Sequence, residues 1–430
     1  MTNKDGIARL KNRPSDDTAY GAITVSDKIE DKESRGEKIL AFRTRIQGLL
    51  NHPKYKLAQK IVWAICIVWA GCIVAQSVPY YVYISEGKQA ALTGNFVQAE
   101  DLFTAALNES KNDDVSDPRL ANALNNLGEL YRKQGKFDKA APIYARLLAN
   151  VEKLPANKKQ EKAMSLNSVA AFYRDKGDYK KSEMYLNNAL SVWQDEVKKL
   201  NDQNYAALLT SKGKLCKEQG RYKESEDNYL KGLKIREALN GKDHPETATA
   251  LMNLSALYRK VQKYSEAEHL ARRALQIDEH ALGKQHPDTA TDENNLAGLF
   301  REMKRYPESE PLYLHALNTR LLLLGKDSPQ TAKSLLGLGE LRRAQGRNAE
   351  AEKLIQEALE TDKRVYGTDN HPDCADCLNA LAMVYFAQNK LDLAHDAIEK
   401  CLSIRRKFLP ANHVDLAESL SNEQLIIAKK

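Results

Sequence analysis

Four histidines, His244, His286, His371 and His413, recur along the C-terminal half of the chain, and a Cys-x-x-Cys pair stands at Cys374 and Cys377. These are the side chains most suited to metal binding or to thiol chemistry. A metal site needs its ligands to converge on one ion. Each histidine here precedes a new helical pattern in a different segment, so the imidazoles are spread along the chain and no metal site follows. No βαβ pattern surrounds Cys374 and Cys377, which therefore read as helix-surface thiols without a redox role. Cys216 and Cys401 fall at core positions of a repeat, and Cys66 and Cys72 lie in an apolar run, so a disulfide framework is not implied. There is no phosphate-binding loop and no nucleophile motif. The sequence reads as a non-enzyme with no cofactor and no small-molecule substrate.

The elements that carry these residues are defined by a repeat. A turn of the form Gly-x-aromatic appears as Gly94-Asn95-Phe96, Gly135-Lys136-Phe137, Gly177-Asp178-Tyr179 and Gly220-Arg221-Tyr222. With Gly or the ring sometimes lost, it continues at Gln262, Lys304, Gly346 and Asn389, at steps of 41 to 43 residues. Such regularity over eight copies is the mark of a solenoid. Five residues after each turn residue the side chain is always small: Ala99, Ala140, Ser182, Ser225, Ala267, Ser309, Ala351 and Ala394. Seven before it stand Gly87, Gly128, Ala170, Gly213, Ser255, Ala297, Gly339 and Ala382, small again. Only small side chains let two helices of a hairpin approach closely. Four before it a ring is preferred (Tyr131, Tyr173, Tyr258, Phe300 and Tyr385), which is expected to fill the space the small residues leave. Between repeats, Pro245, Pro287, Pro329 and Pro372 mark helix starts, and Gly241, Gly283, Gly325 and Gly367 mark the preceding helix ends.

This pattern resembles tetratricopeptide repeats in their 42-residue form, as found in kinesin light chains. The clearest copies begin at Asp243 and Gln285, and the likeness spans residues 85–414. It implies an all-α, right-handed superhelical solenoid of about eight helical hairpins, with a C-terminal capping helix over residues 415–430. No heptad region matches the kinesin light chain's coiled coil, so motor-adaptor function does not carry over. In this family the first helix of each hairpin lines a concave groove that binds protein or peptide. On that helix six consecutive cations, Arg132, Arg174, Lys217, Arg259, Arg301 and Arg343, stand three residues before the turn. Asn125, Asn167 and Asn294 share their face, while Asn126, Asn253 and Asn295 match the position where related repeats hold a peptide backbone. A cationic ladder favours acidic peptides or a free C-terminal carboxylate. The competing reading pairs these cations with neighbours such as Glu129 and Glu340.

Charge and hydropathy set the N-terminal part apart. The net charge is +7, but residues 1–60 hold 13 Lys/Arg against 8 Asp/Glu, leaving the rest near neutral. A near-neutral body argues against nucleic acid as a partner. Residues 1–36 are polar and aperiodic, expected to be a disordered tail, and residues 37–60 form a basic amphipathic juxtamembrane segment. From Ile61 to Ile84 no residue is charged, and the stretch is long enough for one transmembrane helix, with Tyr80, Tyr81 and Tyr83 at its far interface. Basic residues Arg43, Arg45, Lys54, Lys56 and Lys60 on the near side put the N-terminus in the cytoplasm and the repeats on the other face. A lipoprotein anchored through Cys72 is the alternative anchor. The expected function is a membrane-anchored scaffold or adaptor, the alternative being a structural, self-associating rod without a groove ligand.

Overall fold

Backbone chemistry at the segment joints decides where each helix starts and stops. His244, His286, His371 and His413 are helix N-caps: each Nδ1 accepts the backbone N–H two residues on, at 3.1–3.2 Å. Asp117 and Asp202 do the same with carboxylates in earlier repeats. The even spacing of the histidines thus has a capping origin, since an orphan N–H of the first turn finds an acceptor there. Prolines follow at the first helical position, where no N–H is needed. Thr247, Thr289 and Thr331 tie each start back to the preceding helix end by donating to the carbonyls of Gly241, Gly283 and Gly325 at 2.8–2.9 Å. Replacing His286 by Ala is expected to cost about 1 kcal/mol, and by Asn close to nothing, in chemical denaturation of the full chain.

The computed structural model describes residues 79–110, 117–155, 157–194 and 202–430. Among them are seventeen helices and no strand. The first, α1, covers residues 79–92. It pairs with α2 (Phe96–Glu109). Then follow α3 (Pro118–Lys133) with α4 (Phe137–Lys153), α5 (Lys159–Asp175) with α6 (Tyr179–Gln194), and α7 (Gln203–Glu218) with α8 (Tyr222–Asn240). The series continues with α9 (Pro245–Lys260) and α10 (Tyr264–Ala281), α11 (Pro287–Glu302) and α12 (Tyr306–Leu324), α13 (Pro329–Ala344) and α14 (Asn348–Tyr366), and α15 (Pro372–Ala387) and α16 (Leu391–Phe408). The cap is α17 (Val414–Lys429). Eight hairpins and a cap are therefore present, as the repeat implied. Each hairpin packs most closely on itself, and successive first helices also touch (α3 on α5, α5 on α7, α11 on α13), which puts them on the inside of the curve.

Within a hairpin the helix pair is joined through the turn. Its residue has a positive φ in every repeat, including Gln262, Lys304 and Asn389 where glycine is absent. Backbone bonds such as Lys136 N–H to Tyr131 O (2.9 Å) and Gly135 N–H to Arg132 O (3.0 Å) complete the terminating motif. The small residues do allow close approach, but what fills the space is not the ring four before the turn. A Cβ at Gly87, Gly128, Gly213 or Gly339 would lie 2.5–2.9 Å from Phe103, Tyr144, Tyr229 or Ile355, all nine residues after the turn. The ring four before the turn reaches back to the previous hairpin instead. Tyr131 donates to Glu100 and Tyr258 to Glu226, at 2.8 and 2.7 Å. Arg342, at the same position without a ring, makes the equivalent bond to Glu310 at 2.7 Å.

Three expectations change. Tyr80 and Ile84 do not sit at a membrane interface; both are buried in the solenoid core, and the Tyr80 hydroxyl donates to the Arg119 carbonyl at 2.9 Å. The repeats thus begin by residue 79, not 85, because α1 supplies the inner helix of the first hairpin. No helix among the described residues is long and apolar enough to cross a membrane. The rest of the proposed span, residues 61–78, lies outside the described residues, as do the tail, the juxtamembrane segment and Cys72. Cys374 and Cys377 are buried core thiols instead of surface ones, and burial raises both pKa values, that of Cys374 to about 12. A thiolate is correspondingly disfavoured at either.

Candidate functional site

The six ladder cations all lie on first helices, the inner ones, but they are not equivalent. Arg132 of α3 pairs with Asp175 of α5 and, at 3.8 Å, with Glu129. Arg174 of α5 lies 2.6 Å from Asp175 and 3.5 Å from Glu218 of α7. Arg259 of α9 pairs with Glu302 of α11 at 3.1 Å, and Arg301 of α11 with Glu340 of α13 at 2.8 Å. In four of the six positions, then, the cation is bonded to a carboxylate of the next inner helix. Burial pushes the Asp175 carboxyl up, but Arg174 and Arg132 outweigh it and hold it below the usual range. These pairs join neighbouring hairpins.

Lys217 and Arg343 break the pattern. Neither has a carboxylate within ion-pair distance among the described residues, although both are only part-exposed. At the place where α9 would offer Lys217 an acid, one residue after the ladder cation, stands Lys260. The surroundings of Lys217 are Lys260, Arg174 and Arg259 against the single carboxylate of Glu218. Burial first, then these cations, lower the Lys217 pKa; Lys214, one turn away on α7, is lowered by burial and by Arg174 and Lys217. Glu218 is pushed up to about 7 by burial, against the pull of Arg174, so it neutralises this cluster incompletely. Lys260 has one distant partner, Asp415 of the cap, at 3.7 Å. The middle of the inner surface therefore holds an excess of positive charge.

The asparagines divide similarly. Asn126 donates to Asn122 and Asn253 to the Thr249 carbonyl, so their N–H groups are held by their own helices. Asn294 accepts from Ser334 at 3.2 Å. Asn295 is exposed. The Oδ1 atoms of Asn125 and Asn167 are buried without a hydrogen-bond partner, acceptors that a bound chain could satisfy. Ladder and amides thus share the inner helices, and Lys217, Arg343, Asn125 and Asn167 keep unused polar capacity there, beside exposed Asn295 and the unpartnered Nε of Arg301. The acids at one residue after the ladder cation, together with Lys214 and Lys260, were missed by reading the cations alone. That neighbouring column holds Asp175, Glu218 and Glu302 but Lys260 and Ala344, and at the last of these Glu340 serves Arg301 instead.

Among the described residues one group could gather metal-ligand atoms, His395, Asp396 and Glu399, within 4.8 Å of one another. Two of its three members are exposed, and acidic groups are commonly this close on a surface without an ion.

Seventeen antiparallel helices with fixed small-residue crossings, and inner helices carrying the polar positions, define a helical-repeat interaction fold. The tetratricopeptide repeat family model matches residues 87–153, 161–238, 204–280, 246–320, 288–364 and 330–407, and the chain belongs to that family. Among solved structures, the crystal structure of a Rap protein complexed with Competence and Sporulation Factor is 12% identical, with a TM-score of 0.50, over 81% of this chain and 98% of that one. BtubC (BKLC) from P. vanneervenii is 19% identical with a TM-score of 0.40, over 59% of this chain and 92% of that one. A tetratricopeptide repeat protein from Parabacteroides merdae is 18% identical with a TM-score of 0.39, over 80% and 99% respectively. A search of curated proteins found no match.

Proposed function

We propose that the chain is a protein-interaction scaffold whose inner surface takes an acidic segment of a partner protein at Lys214, Lys217, Arg259 and Lys260. The observation that carries this reading is the interruption of the inter-hairpin ion pairs at Lys217, where Lys260 replaces the carboxylate that Lys217 would otherwise have and cations crowd around it, as they do not at the other interruption, Arg343. A partner carboxylate there would relieve cation–cation repulsion and gain charge-assisted hydrogen bonds. Arg132, Arg174, Arg259 and Arg301 also serve the fold, so their replacement would confuse binding with stability. Lys214 and Lys217 lack that entanglement. With the full-length chain as bait, partner recovery is expected to fall about 30-fold or more for Lys214→Glu/Lys217→Glu, as for loss of a buried charge pair. Undiminished recovery would sink the acidic-segment reading, and recovery of the chain alone would favour the self-associating rod.

The charge-free run over residues 61–78 and the basic residues before it support a single-pass anchor, with the repeats on the non-cytoplasmic side. Protease protection of the repeats in sealed vesicles, lost on adding detergent, is the expected result. Cleavage of the repeats from the cytoplasmic face would overturn that topology.

A further inference from the structure

The solenoid coils far enough to touch itself. Three hairpin turns near its start meet three inter-repeat joints near its end, in register. A Cβ on Gly94 would run into the Asp327 carbonyl oxygen; one on Gly135 would lie 3.2 Å from the His371 ring and one on Gly177 3.2 Å from Pro410. The Phe96 and Tyr366 rings stack at 5.9 Å, and Phe137 meets Phe408 edge-on at 5.8 Å. One hydrogen bond crosses the middle contact, from His371 Nε2–H to the Lys133 carbonyl at 3.0 Å. The turns of later repeats differ: nothing lies within 4 Å of a Cβ at Gly220 or Gly346. Positive φ does not by itself demand glycine here, because Gln262, Lys304 and Asn389 adopt it too. Close approach of a second chain segment explains Gly94, Gly135 and Gly177 better.

We propose that these contacts form a proton-sensitive latch: neutral His371 holds the turns of hairpins one to three against the joints after hairpins six to eight, and its protonation lets the coil spring open. The imidazole is used at both ends, Nδ1 accepting from Asp373 N–H at 3.1 Å while Nε2–H donates to Lys133. Only one neutral tautomer satisfies both bonds. A second proton turns Nδ1 into a donor facing the Asp373 N–H, which breaks the cap that holds this joint, while Nε2–H still donates to Lys133. The ring is buried and stacked on Tyr366 at 3.5 Å. Its charged surroundings are Asp373 on its own helix, which favours the cation, and Lys333 of α13, which opposes it; Tyr366 of α14 and Phe408 of α16 are neutral. Burial prevails over Asp373 and over the bond to the Lys133 carbonyl, both of which favour the cation, and holds the His371 pKa below its usual value. Because the folded pKa is lowered, the latch is stable above about pH 6.5, the usual histidine value, and weakens as pH falls below it. The latch stands on contacts within the coil; only its effect on a ligand of the inner surface rests on the function proposed above.

Hydrogen exchange of the full-length chain tests it without any ligand, in peptides covering residues 131–139 and 366–376. At neutral pH Gly94→Asn is expected to speed exchange there roughly 5- to 30-fold. Gly346→Asn, at a turn with the same φ of 80° but no opposing segment, should leave these peptides unchanged. Equal effects of the two would overturn the latch. The wild-type peptides should also exchange faster on going from pH 7.5 to 5.5 after correction for intrinsic rates. His371→Asn keeps an N-cap but cannot titrate, so it should exchange fast at both pH values, and it carries the test should Gly94→Asn fail to fold. A wild type indifferent to pH, or a variant as pH-dependent as the wild type, would overturn the role of His371.

Discussion

Gly213→Ala is expected to destabilise the full chain by about 1–3 kcal/mol, while Gly232→Ala, one helix later, is expected to stabilise it by about 0.5–1 kcal/mol. Both glycines lie inside helices, where alanine ordinarily gains up to about 1 kcal/mol. What reverses the sign at Gly213 is space. Its Cβ would meet Tyr229 Cε1 at 2.6 Å and Cδ1 at 2.7 Å, and Tyr229 is itself buried. That ring is pinned in the core of its own hairpin and cannot swing away like an exposed side chain. At Gly232 the nearest atom is the Ala206 carbonyl oxygen at 3.4 Å, an ordinary contact. Urea midpoints of the two variants should therefore move in opposite directions. Adding Tyr229→Leu to Gly213→Ala should recover part of the loss, so that the double variant is more stable than the sum of the singles. Additive effects would mean that the pair does not share the space the structure assigns to it.

The same pair shows how far the sequence could be read. A period of about 42 residues with small residues at fixed offsets is visible because close helix crossings tolerate nothing else. The identity of the side chain that fills each crossing is not visible. Rings at four before the turn and large residues at nine after it are both periodic, and periodicity alone does not say which one enters the gap. The inner cations were legible for the same reason as the crossings. Their partners were less so, because each ion pair joins different repeats: Arg174 to Glu218 and Arg259 to Glu302 match columns one residue apart. The histidines were placed correctly before helix starts, and their capping bonds needed coordinates. The latch was out of reach. It depends on small rotations accumulated over several hairpins, which bring Lys133 to His371 across 238 positions. No short-range pattern encodes such a sum.

The joint between hairpins five and six is expected to make stability fall as pH rises, and Asp292→Asn to lessen that fall. Sixteen residues after each turn from the fourth repeat onward the charge alternates: Arg236, Asp278, Arg320, Asp362 and Arg405. Each is buried against the next inner helix. Arg320 and Arg405 donate to Ser334 and Ser419 at 2.8 and 2.7 Å, and the Cys377 thiol donates to Asp362 at 3.7 Å. At Asp278 the facing residue is a second acid, Asp292, whose carboxyl is pushed well up by burial and then by Asp278. Burial likewise raises Asp278, with Asp288 adding to it. Two buried carboxylates in contact cannot both ionise at low cost, so the folded pair retains a proton that the unfolded chain would release. Asp292 has its folded pKa raised, so its contribution is present below the unfolded value of about 3.9 and is lost as pH rises through the folded value. This slope is opposite to that of His371, and the two act on different joints. Denaturation midpoints of the full chain should drop between pH 6 and 8 by the equivalent of about 1–3 kcal/mol. The amide introduced by Asp292→Asn can donate an N–H to Asp278 without titrating, so this variant should fall less steeply over that range, keeping only the slope of the other buried acids raised by burial, Glu218 and Asp362, and be the more stable protein at pH 8. A variant that tracks the wild type from pH 6 to 8 would show that the two carboxyls do not share a proton.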